Sequence, residues 1–300
     1  MTPFWDWEVP FILWLQQGHP AWTPFFRFLT MLGNEELVLM LGPLVLWCIN
    51  KAWGTGVLLL LLGSQGVNTA LKELFRVPRP FLTHPQILQL DTPTGWSLPS
   101  GHAQNSTALW MYLASKVRRA WFWGVAVLLV AGICLSRPYL GVHYPSDVIV
   151  GVAVGLALWG LALLLTPAVT AAAARLRLGW WLAGVAAAGV LLCLLQPYAD
   201  SVSAIAAVTC GLIGLIVERE RVHFDVGGPW QQRTLRYVVG LAILMLFWRG
   251  LKVVFGFIAD EGNTAPYLIL RGVRYGILGL WVTLGAPAFF VRLKLAPRSA

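Results

Sequence analysis

Long apolar runs separated by short polar stretches are the dominant pattern of this 300-residue chain. A helix needs about 20 mostly apolar residues to cross the hydrocarbon core of a bilayer, and nine runs approach or exceed that length. The predicted spans are 35–50, 55–75, 101–116, 119–136, 148–166, 178–195, 201–217, 236–258 and 267–291. The pattern therefore predicts an all-α polytopic membrane protein, a helical bundle of about nine transmembrane helices.

The segment before the first predicted span, FWDWEVPFILWLQQGHPAWTPFFRFL, is rich in tryptophan and phenylalanine. Pro10, Pro20 and Pro24 divide it into apolar pieces that are too short to cross a bilayer. Tryptophan is enriched where the lipid headgroups meet the hydrocarbon core, and short amphipathic helices lie along that boundary. We therefore expect interfacial N-terminal helices before the membrane bundle.

Charge is sparse, and its distribution indicates the topology. Only 12% of the residues are charged, 58% are hydrophobic, and the net charge is +9. The basic residues are spread over many short loops and form no stripe, which argues against a nucleic-acid partner. With loops assigned alternately to the two faces, one face receives Lys51, Lys116, Arg118, Arg119, Arg175, Arg177, Arg219, Arg221, Arg233, Arg236, Arg292, Lys294 and Arg298. Basic loops stay in the cytoplasm, and we expect this face to be the cytoplasmic face of a bacterial inner membrane.

The four cysteines, Cys48, Cys134, Cys193 and Cys210, all lie inside apolar runs and show no CxxC spacing. Cysteines in such positions behave as small buried apolar residues. Neither a disulfide set nor a cysteine metal site is therefore expected. We expect no metal and no cofactor.

Composition changes after Pro167, where the chain becomes rich in alanine and carries no recognisable motif. This change predicts a boundary near residue 170. We expect residues 1–170 to form a core with the interfacial helices and five spans. Residues 171–300 are then a four-span C-terminal membrane extension.

Three short stretches fall on the non-cytoplasmic face and together favour a site for a phosphoryl group. KELFRVPRP carries Lys72 and Arg79, and its prolines end the preceding helix, so Arg79 leaves the helix axis. PSGH begins the third span with Ser100 as the N-cap and with Gly101, which lets a ligand approach the backbone. SRPYLGVHYPSD adds Arg137. Three positive charges beside the free N–H groups of a helix N-terminus match the oxygens of a phosphoryl group.

Two histidines in these stretches suggest a division of chemical labour. One imidazole can attack phosphorus while the other protonates the leaving oxygen. Asp147 follows His143 by four residues, and its carboxylate can fix the tautomer of that ring and stabilise its positive form. His102 belongs to the PSGH stretch. Each residue alone could be a solvated loop or interfacial residue, but their predicted shared face favours chemistry.

The three stretches together resemble the three-part signature of the type 2 phosphatidic-acid phosphatase superfamily, which contains membrane lipid phosphatases, glucose-6-phosphatases and vanadium haloperoxidases. The match in residue type, spacing and order runs from residue 72 to residue 147. The resemblance implies that His143 is a nucleophile that forms a phosphohistidine, that Asp147 is its partner and that His102 is the general acid. It also implies metal-free catalysis. The residues that would hold the phosphoryl oxygens are Lys72, Arg79, Ser100, Gly101 and Arg137.

Charged residues inside other predicted spans need a separate explanation. Four cations lie in the C-terminal extension, residues 171–300, and we call them the rear cations: Arg249, Lys252, Arg271 and Arg274. Within each span the two cations are three residues apart, so they share a helix face. They either pair with Asp260 and Glu261 of the intervening loop or form a second anion site for another phosphate or an acidic headgroup. At the start of the first span, we expect Glu35 or Glu36 to pair with a motif cation.

The leading hypothesis is an integral membrane phosphatase that hydrolyses a lipid phosphate monoester or diphosphate at the non-cytoplasmic face. Phosphatidic acid, phosphatidylglycerol phosphate, a sphingoid-base phosphate and an isoprenoid diphosphate are the candidate substrates. A sugar-phosphate phosphatase, a lipid-to-lipid phosphotransferase and a non-enzymatic lipid transporter remain as alternatives. The expected partners are the lipid phosphate and the bilayer, with no nucleic acid and no protein partner.

Overall fold

The computed structural model describes residues 3–173, 177–260 and 264–298. In these ranges the backbone consists of helices and loops, with one isolated β-bridge between Phe224 and Arg298. The all-α prediction is therefore confirmed. The α-helices are α1 (Val9–Gln16), α2 (Thr23–Met31), α3 (Glu35–Leu44), α4 (Lys51–Phe75), α5 (Pro80–Thr83), α6 (Gly101–Val117), α7 (Ala120–Tyr139), α8 (Pro145–Ala173), α9 (Leu178–Leu195), α10 (Ala199–Arg221), α11 (Trp230–Gly256), α12 (Ala265–Leu280) and α13 (Ala286–Arg292).

Each predicted span falls on a helical segment, and most of these segments are long enough to cross a bilayer. Among the described residues, seven combine sufficient length and hydropathy: Lys51–Thr83, Ala120–Tyr139, Pro145–Thr166, Leu178–Leu195, Ala199–Arg221, Trp230–Gly256 and Ala265–Arg292. The other two are short, because the apolar part of the first is Met40–Ile49 and α6 has 17 residues. The protein is therefore a multi-pass integral membrane protein, while the predicted count of nine spans is not confirmed.

The N-terminal segment forms the short helices α1 and α2, each with a proline in its first turn. Proline is tolerated there because the first N–H groups of a helix have no partner inside it. In α1, Ile12 and Leu15 are buried, whereas Phe11 and Trp14 are exposed. The predicted short helices are thus present, and their position at the lipid headgroups stays a prediction.

The described helices belong to two compact units, Met1–Val38 with Val67–Leu163 and Leu39–Gly66 with Leu164–Ala300. The second unit takes in Leu39–Gly66 because Trp47 packs into its core. The ring of Trp47 lies 5.3 Å from that of Phe290, and its indole N–H donates to the carbonyl oxygen of Val282 at 2.9 Å. The division of function at residue 170 stays a prediction.

In the first unit, the N-terminal helices pack against the end of α7. Phe26 and Leu15 share an apolar cluster with Tyr139, and the rings of Phe26 and Tyr139 stack with centroids 4.0 Å apart. The side-chain amide of Gln16 donates to the carbonyl oxygens of Leu88 and Tyr139 at 2.8 and 3.0 Å. Its oxygen accepts the N–H of Leu88 at 3.0 Å. These bonds hold the loop between α5 and α6 against the chain that follows α7.

In the second unit, α10 and α12 pack at backbone distance. A Cβ atom added at Gly279 would clash with the carbonyl oxygen of Ala207 and would lie 3.0 Å from the backbone nitrogen of Gly211. Small residues let membrane helices approach this closely, so that van der Waals contacts hold them together. Gly279 is therefore a constraint on the packing of this unit.

Replacing Gly279 with alanine should lower the stability of the second unit by about 1–3 kcal/mol, because the added methyl group meets backbone that cannot move aside. Thermal unfolding of the purified protein in detergent measures this loss. Gly184 in α9 is the matched control, since a Cβ there would meet no atom within 4 Å. Equal midpoints for Gly279→Ala and Gly184→Ala would contradict the predicted close approach.

Candidate active site

Arg79 enters the site from an extended segment between two helices. The helix α4 ends at Phe75, and Arg76 takes a left-handed backbone conformation with φ of 49°. Arg79 itself is extended, with φ of −76° and ψ of 153°, and Pro80 begins α5. Arg79 therefore lies outside the helix, as predicted. Its side chain is only 3% exposed.

Backbone carbonyl groups hold the Arg79 guanidinium in one orientation. Its Nε–H donates to the oxygen of Gly95 at 2.9 Å, and Nη2 donates to that of Thr94 at 2.6 Å. Nη1 donates to the oxygen of Val142 at 2.9 Å and lies 3.3 Å from Nε2 of His143. A guanidinium can only donate, so Nε2 of His143 is the acceptor and carries no proton. The proton of the neutral imidazole is therefore on Nδ1.

The other edge of the His143 ring faces Asp147 and Ser97. Nδ1 lies 3.4 Å from Oδ2 of Asp147 and 3.4 Å from Oγ of Ser97. The Ser97 hydroxyl donates to the same Oδ2 at 2.5 Å, and the Tyr144 N–H donates to it at 2.8 Å. Asp147 is fully buried, so these donors replace the water that its charge would otherwise require. The carboxylate can thus stabilise positive charge on the ring.

Ser97 was missed by the sequence reasoning. It lies three residues before Ser100, in the uncharged stretch 92–100, and a single serine there carries no signal of its own. Its N–H donates to the carbonyl oxygen of Val77 at 2.8 Å, which holds it beside the Arg79 segment. Only the folded loop brings its hydroxyl to Asp147.

The surroundings of His143 favour its uncharged form. The ring is 2% exposed and lies in the loop between α7 and α8. Burial lowers the pKa of His143 well below its ordinary value of 6.5, and the positive charges of the motif cations lower it further. Both effects leave a lone pair on Nε2 at neutral pH, which is the state that a nucleophile requires.

The start of α6 presents one hydroxyl without a protein partner among the described residues. Ser100 occupies the predicted N-cap position, but its side chain makes no capping bond, and its buried Oγ has no partner among the described residues. Its backbone N–H donates to the carbonyl oxygen of Asp147 at 3.0 Å. Gly151 of α8 permits this close approach, because a Cβ there would come within 2.7 Å of the Ser100 oxygen. A Cβ at Gly101 would lie 3.1 Å from Oδ1 of Asn68.

Arg137 offers a further unused donor. It is 1% exposed, and its Nη1 bonds to Oγ1 of Thr30 and lies 3.3 Å from Oδ2 of Asp91. Its buried Nε has no hydrogen-bond partner among the described residues. A buried donor of this kind is costly unless a ligand satisfies it. Lys72 is half-buried in α4, and its positive charge also lowers the pKa of His143.

His102 is held by a residue outside the three motifs. Its Nε2 lies 2.8 Å from Oδ1 of Asn34, in the turn between α2 and α3. Glu35 or Glu36 was predicted to pair with a motif cation, and the side chains of both lie outside the described residues. The contact with Asn34 was not foreseen, because nothing in the local sequence indicates which side chain of this turn meets α6.

The structure thus gathers the eight motif residues into the first unit and leaves other polar residues out of the site. Arg76 is exposed and lies 3.7 Å from Glu73. Gln104 is fully buried and accepts a bond from Asn68 at 2.9 Å. Among the described residues, no group of three or more histidine, cysteine, aspartate or glutamate side chains is placed to hold a metal ion.

The four rear cations differ in their surroundings. Arg271 is paired with Asp200 at 2.9 Å and also donates to Ser203 at 2.6 Å. Arg274 is 8% exposed, its guanidinium lies 4.8 Å from the ring centroid of Tyr275, and its Nε has no partner among the described residues. Arg249 and Lys252 are exposed. Arg271 therefore pairs with α10 and not with Asp260, while Glu261 lies outside the described residues.

Two family models match the chain. Residues 53–171 match the PAP2 superfamily, and residues 202–298 match the PAP2 superfamily phosphatase, transmembrane extension. The eight motif residues lie in the first matched range. Thr30 and Asn34 precede it.

Individual relatives cover only part of the chain. Decaprenylphosphoryl-5-phosphoribose phosphatase of Mycobacterium tuberculosis is 38% identical over 123 residues, which are 40% of this chain and 64% of that protein. Sphingosine-1-phosphate phosphatase 1 of Rattus norvegicus is 28% identical over 134 residues, which are 42% of this chain and 31% of that protein. The chain thus spans less than two thirds of either relative. The crystal structure of Aquifex aeolicus LpxE is 24% identical, with a TM-score of 0.49, and the match covers 53% of this chain and 98% of that one.

The unused donor of Arg137 predicts an anion site that can be measured without turnover. Arg137→Lys removes Nε and the planar fork, so binding of orthovanadate, a phosphate mimic, should weaken by about tenfold or more. Titration of the purified protein with orthovanadate gives the dissociation constant. Arg27→Lys is the matched control, since Arg27 is exposed and donates to the oxygen of Leu90 at 3.3 Å. Equal affinities in both variants would remove Arg137 from the site.

Proposed function

Because the chain belongs to the PAP2 superfamily, we propose that it is an integral membrane phosphatase that hydrolyses a phosphate ester carried by a lipid. The contact between Nη1 of Arg79 and Nε2 of buried His143 supports this function most directly, because a guanidinium only donates and Nε2 then keeps its lone pair. Among the described residues, Ser100 Oγ and Arg137 Nε have no hydrogen-bond partner and can donate to a ligand. Nucleophilic attack on phosphorus needs a lone pair beside donors for the phosphoryl oxygens.

In the first step, the lone pair of His143 Nε2 forms a bond to phosphorus while the bond from phosphorus to the leaving oxygen breaks. As the substrate enters, Nη1–H of Arg79 stops donating its hydrogen bond to Nε2 and donates it to a phosphoryl oxygen instead. The positive charge on the phosphorylated ring is stabilised by Asp147, to which Nδ1–H is directed. The other motif cations and the start of α6 hold the remaining oxygens, and His102 gives its proton to the leaving group.

In the second step, water attacks the phosphorus atom of the phosphohistidine. The bond from phosphorus to Nε2 breaks, the oxygen of water bonds to phosphorus, and His102 takes a proton from that water. Inorganic phosphate then leaves, and His143 returns to its neutral form. All proton transfers use side chains of this chain, so the scheme needs no metal ion.

A lipid is the proposed carrier of the phosphate, because the site lies where the membrane-spanning helices α4, α7 and α8 begin or end. Two relatives are named as phosphatases of decaprenylphosphoryl-5-phosphoribose and of sphingosine 1-phosphate. Lipid phosphate monoesters are therefore the first substrates to test, followed by isoprenoid diphosphates. We place the site at the non-cytoplasmic face of a bacterial inner membrane, from the distribution of basic loops.

Purified protein in detergent should release inorganic phosphate from at least one member of a panel of lipid phosphates and diphosphates, with EDTA present. Glucose 6-phosphate in the same panel tests the sugar-phosphate alternative. An assay without an acceptor lipid separates hydrolysis from transfer between lipids. Activity that disappears with EDTA would contradict the metal-free scheme.

His143→Gln should lower kcat by about 1,000-fold or more, because the nucleophile is lost. His19→Gln is the matched control, since His19 is exposed and bonds to Thr23 outside the site. Trapping of a radiolabelled phosphoenzyme in the parent protein and its absence in His143→Gln would identify the intermediate. Full phosphate release by His143→Gln would exclude the phosphohistidine route.

We also propose a second anion site in the rear unit, now centred on Arg274. A buried guanidinium with an unused Nε in a membrane helix fits an acidic lipid headgroup, and the ring of Tyr275 supports it by a cation–π contact. Arg271 is less suitable because Asp200 already neutralises it.

Arg274→Met should reduce the amount of anionic phospholipid that stays bound through purification, measured by native mass spectrometry. The loss should be about tenfold in affinity if the headgroup contacts the guanidinium directly. Arg219→Met is the matched control, because Arg219 is exposed at the other end of α10. Unchanged lipid retention in Arg274→Met would argue against this site.

A further inference from the structure

We propose that Asn34 is a positioning residue that decides which ring nitrogen of His102 exchanges a proton with the substrate. The inference rests on the proposed function, since it requires His102 to act as the general acid. Asn34 lies in the turn between α2 and α3, before the range that matches the family, and belongs to none of the three motifs.

The turn meets one particular edge of the imidazole. Oδ1 of Asn34 lies 2.8 Å from Nε2 of His102. At Gly33, an added Cβ would lie 3.1 Å from Cδ2 of His102 and 2.9 Å from Cγ2 of Ile133, so glycine lets the turn come this close. The edge formed by Cδ2 and Nε2 is thus covered by the turn. Nδ1 lies on the opposite edge of the ring, away from this contact.

This contact assigns the proton positions. The amide oxygen of Asn34 can only accept, so Nε2 of His102 carries a hydrogen in both the neutral and the positive ring. The proton that comes and goes is therefore on Nδ1. In the first step this proton moves to the leaving oxygen, and in the second step Nδ1 takes a proton from the attacking water. Without Asn34 the positive ring would lose the contact that holds it in one orientation, which weakens proton donation in the first step. The neutral ring could then hold its hydrogen on either nitrogen, which weakens proton uptake in the second step.

The neutral charge of the amide suits this double role. The positive charges of Arg137, Lys72 and Arg79 disfavour the protonated form of the His102 ring, and the neutral ring of His143 lies in the same cluster. The carboxylates of this cluster, Asp147 and Asp91, are engaged by Ser97 and Arg137. A carboxylate at position 34 would hold the His102 ring in its protonated form, which favours the first step and hinders the second. An amide fixes the tautomer and leaves the ring free to change its charge.

The first test compares two leaving groups. A lipid alkoxide needs protonation as it leaves, whereas the p-nitrophenolate of p-nitrophenyl phosphate does not. For Asn34→Ala we expect kcat/KM to fall roughly 10-fold to 100-fold on the lipid phosphate and to change little on p-nitrophenyl phosphate. The ratio kcat/KM reports the steps up to phosphoryl transfer, so hydrolysis of the intermediate does not enter. Equal losses on both substrates would mean a general structural defect and would overturn the proposal.

The second test uses the pH profile and a near-isosteric variant that keeps the fold even if Asn34→Ala does not. The general acid must be protonated, so kcat/KM on the lipid phosphate falls as the pH rises and His102 loses its proton. This fall is the alkaline limb of the pH profile. Asn34→Asp places a negative charge beside the ring, stabilises the protonated form and should move this alkaline limb up by about 1 pH unit or more. Asn50→Asp is the control, because Asn50 lies in the second unit and its Oδ1 accepts the Trp53 N–H at 3.0 Å.

An alkaline limb that stays in place in Asn34→Asp, or moves equally in Asn50→Asp, would overturn the role of Asn34. That result differs from a failure of the proposed function, in which the parent protein itself releases no phosphate from any lipid or from p-nitrophenyl phosphate. In that case both proposals fall together.

Discussion

The candidate site depends on one contact, that of the Arg79 guanidinium with Nε2 of His143. Because arginine only donates, this contact keeps Nε2 unprotonated and leaves the ring proton on the edge that faces Asp147. A buried guanidinium is stable only with hydrogen-bond acceptors around it, and three backbone carbonyl groups supply them. The state of His143 is therefore set by the path of the loop from residue 84 to residue 100, which provides two of these carbonyl groups.

The same loop joins the proposed phosphate-binding residues to His143 and Asp147. Ser97 donates to the carboxylate of Asp147, and three residues later the N–H of Ser100 donates to the carbonyl oxygen of Asp147. The two ends of this short segment thus bind the side chain and the backbone of one residue. Gly151 allows α8 to approach closely enough for both bonds. The hydroxyl of Ser100 makes no capping bond and has no partner among the described residues, so it can bond to a ligand.

The sequence predicted the family, the helical class and the membrane character, since each depends on local composition or spacing, while the roles of the motif residues stay predictions. It could not predict Ser97 or Asn34, because their roles come from contacts with residues 50 and 68 positions away. The pairing of Arg271 with Asp200 was missed for the same reason, as the two residues lie 71 positions apart on different helices. The count of nine spans stays a prediction where helices are short, since α6 has only 17 residues.

The N-terminal segment has a larger part in the candidate site than its position outside the matched family range indicates. Thr30 bonds to Arg137, Asn34 bonds to His102, and Gln16 holds the loop that carries Asp91. Each contact orients a polar group that the family motifs alone would leave partly unsatisfied. Since buried charged and polar groups require such partners, the motifs need this segment to reach a defined geometry. If the proposed roles of His102 and Arg137 hold, changes within residues 3–34 alter proton transfer and anion binding while the motif residues stay the same.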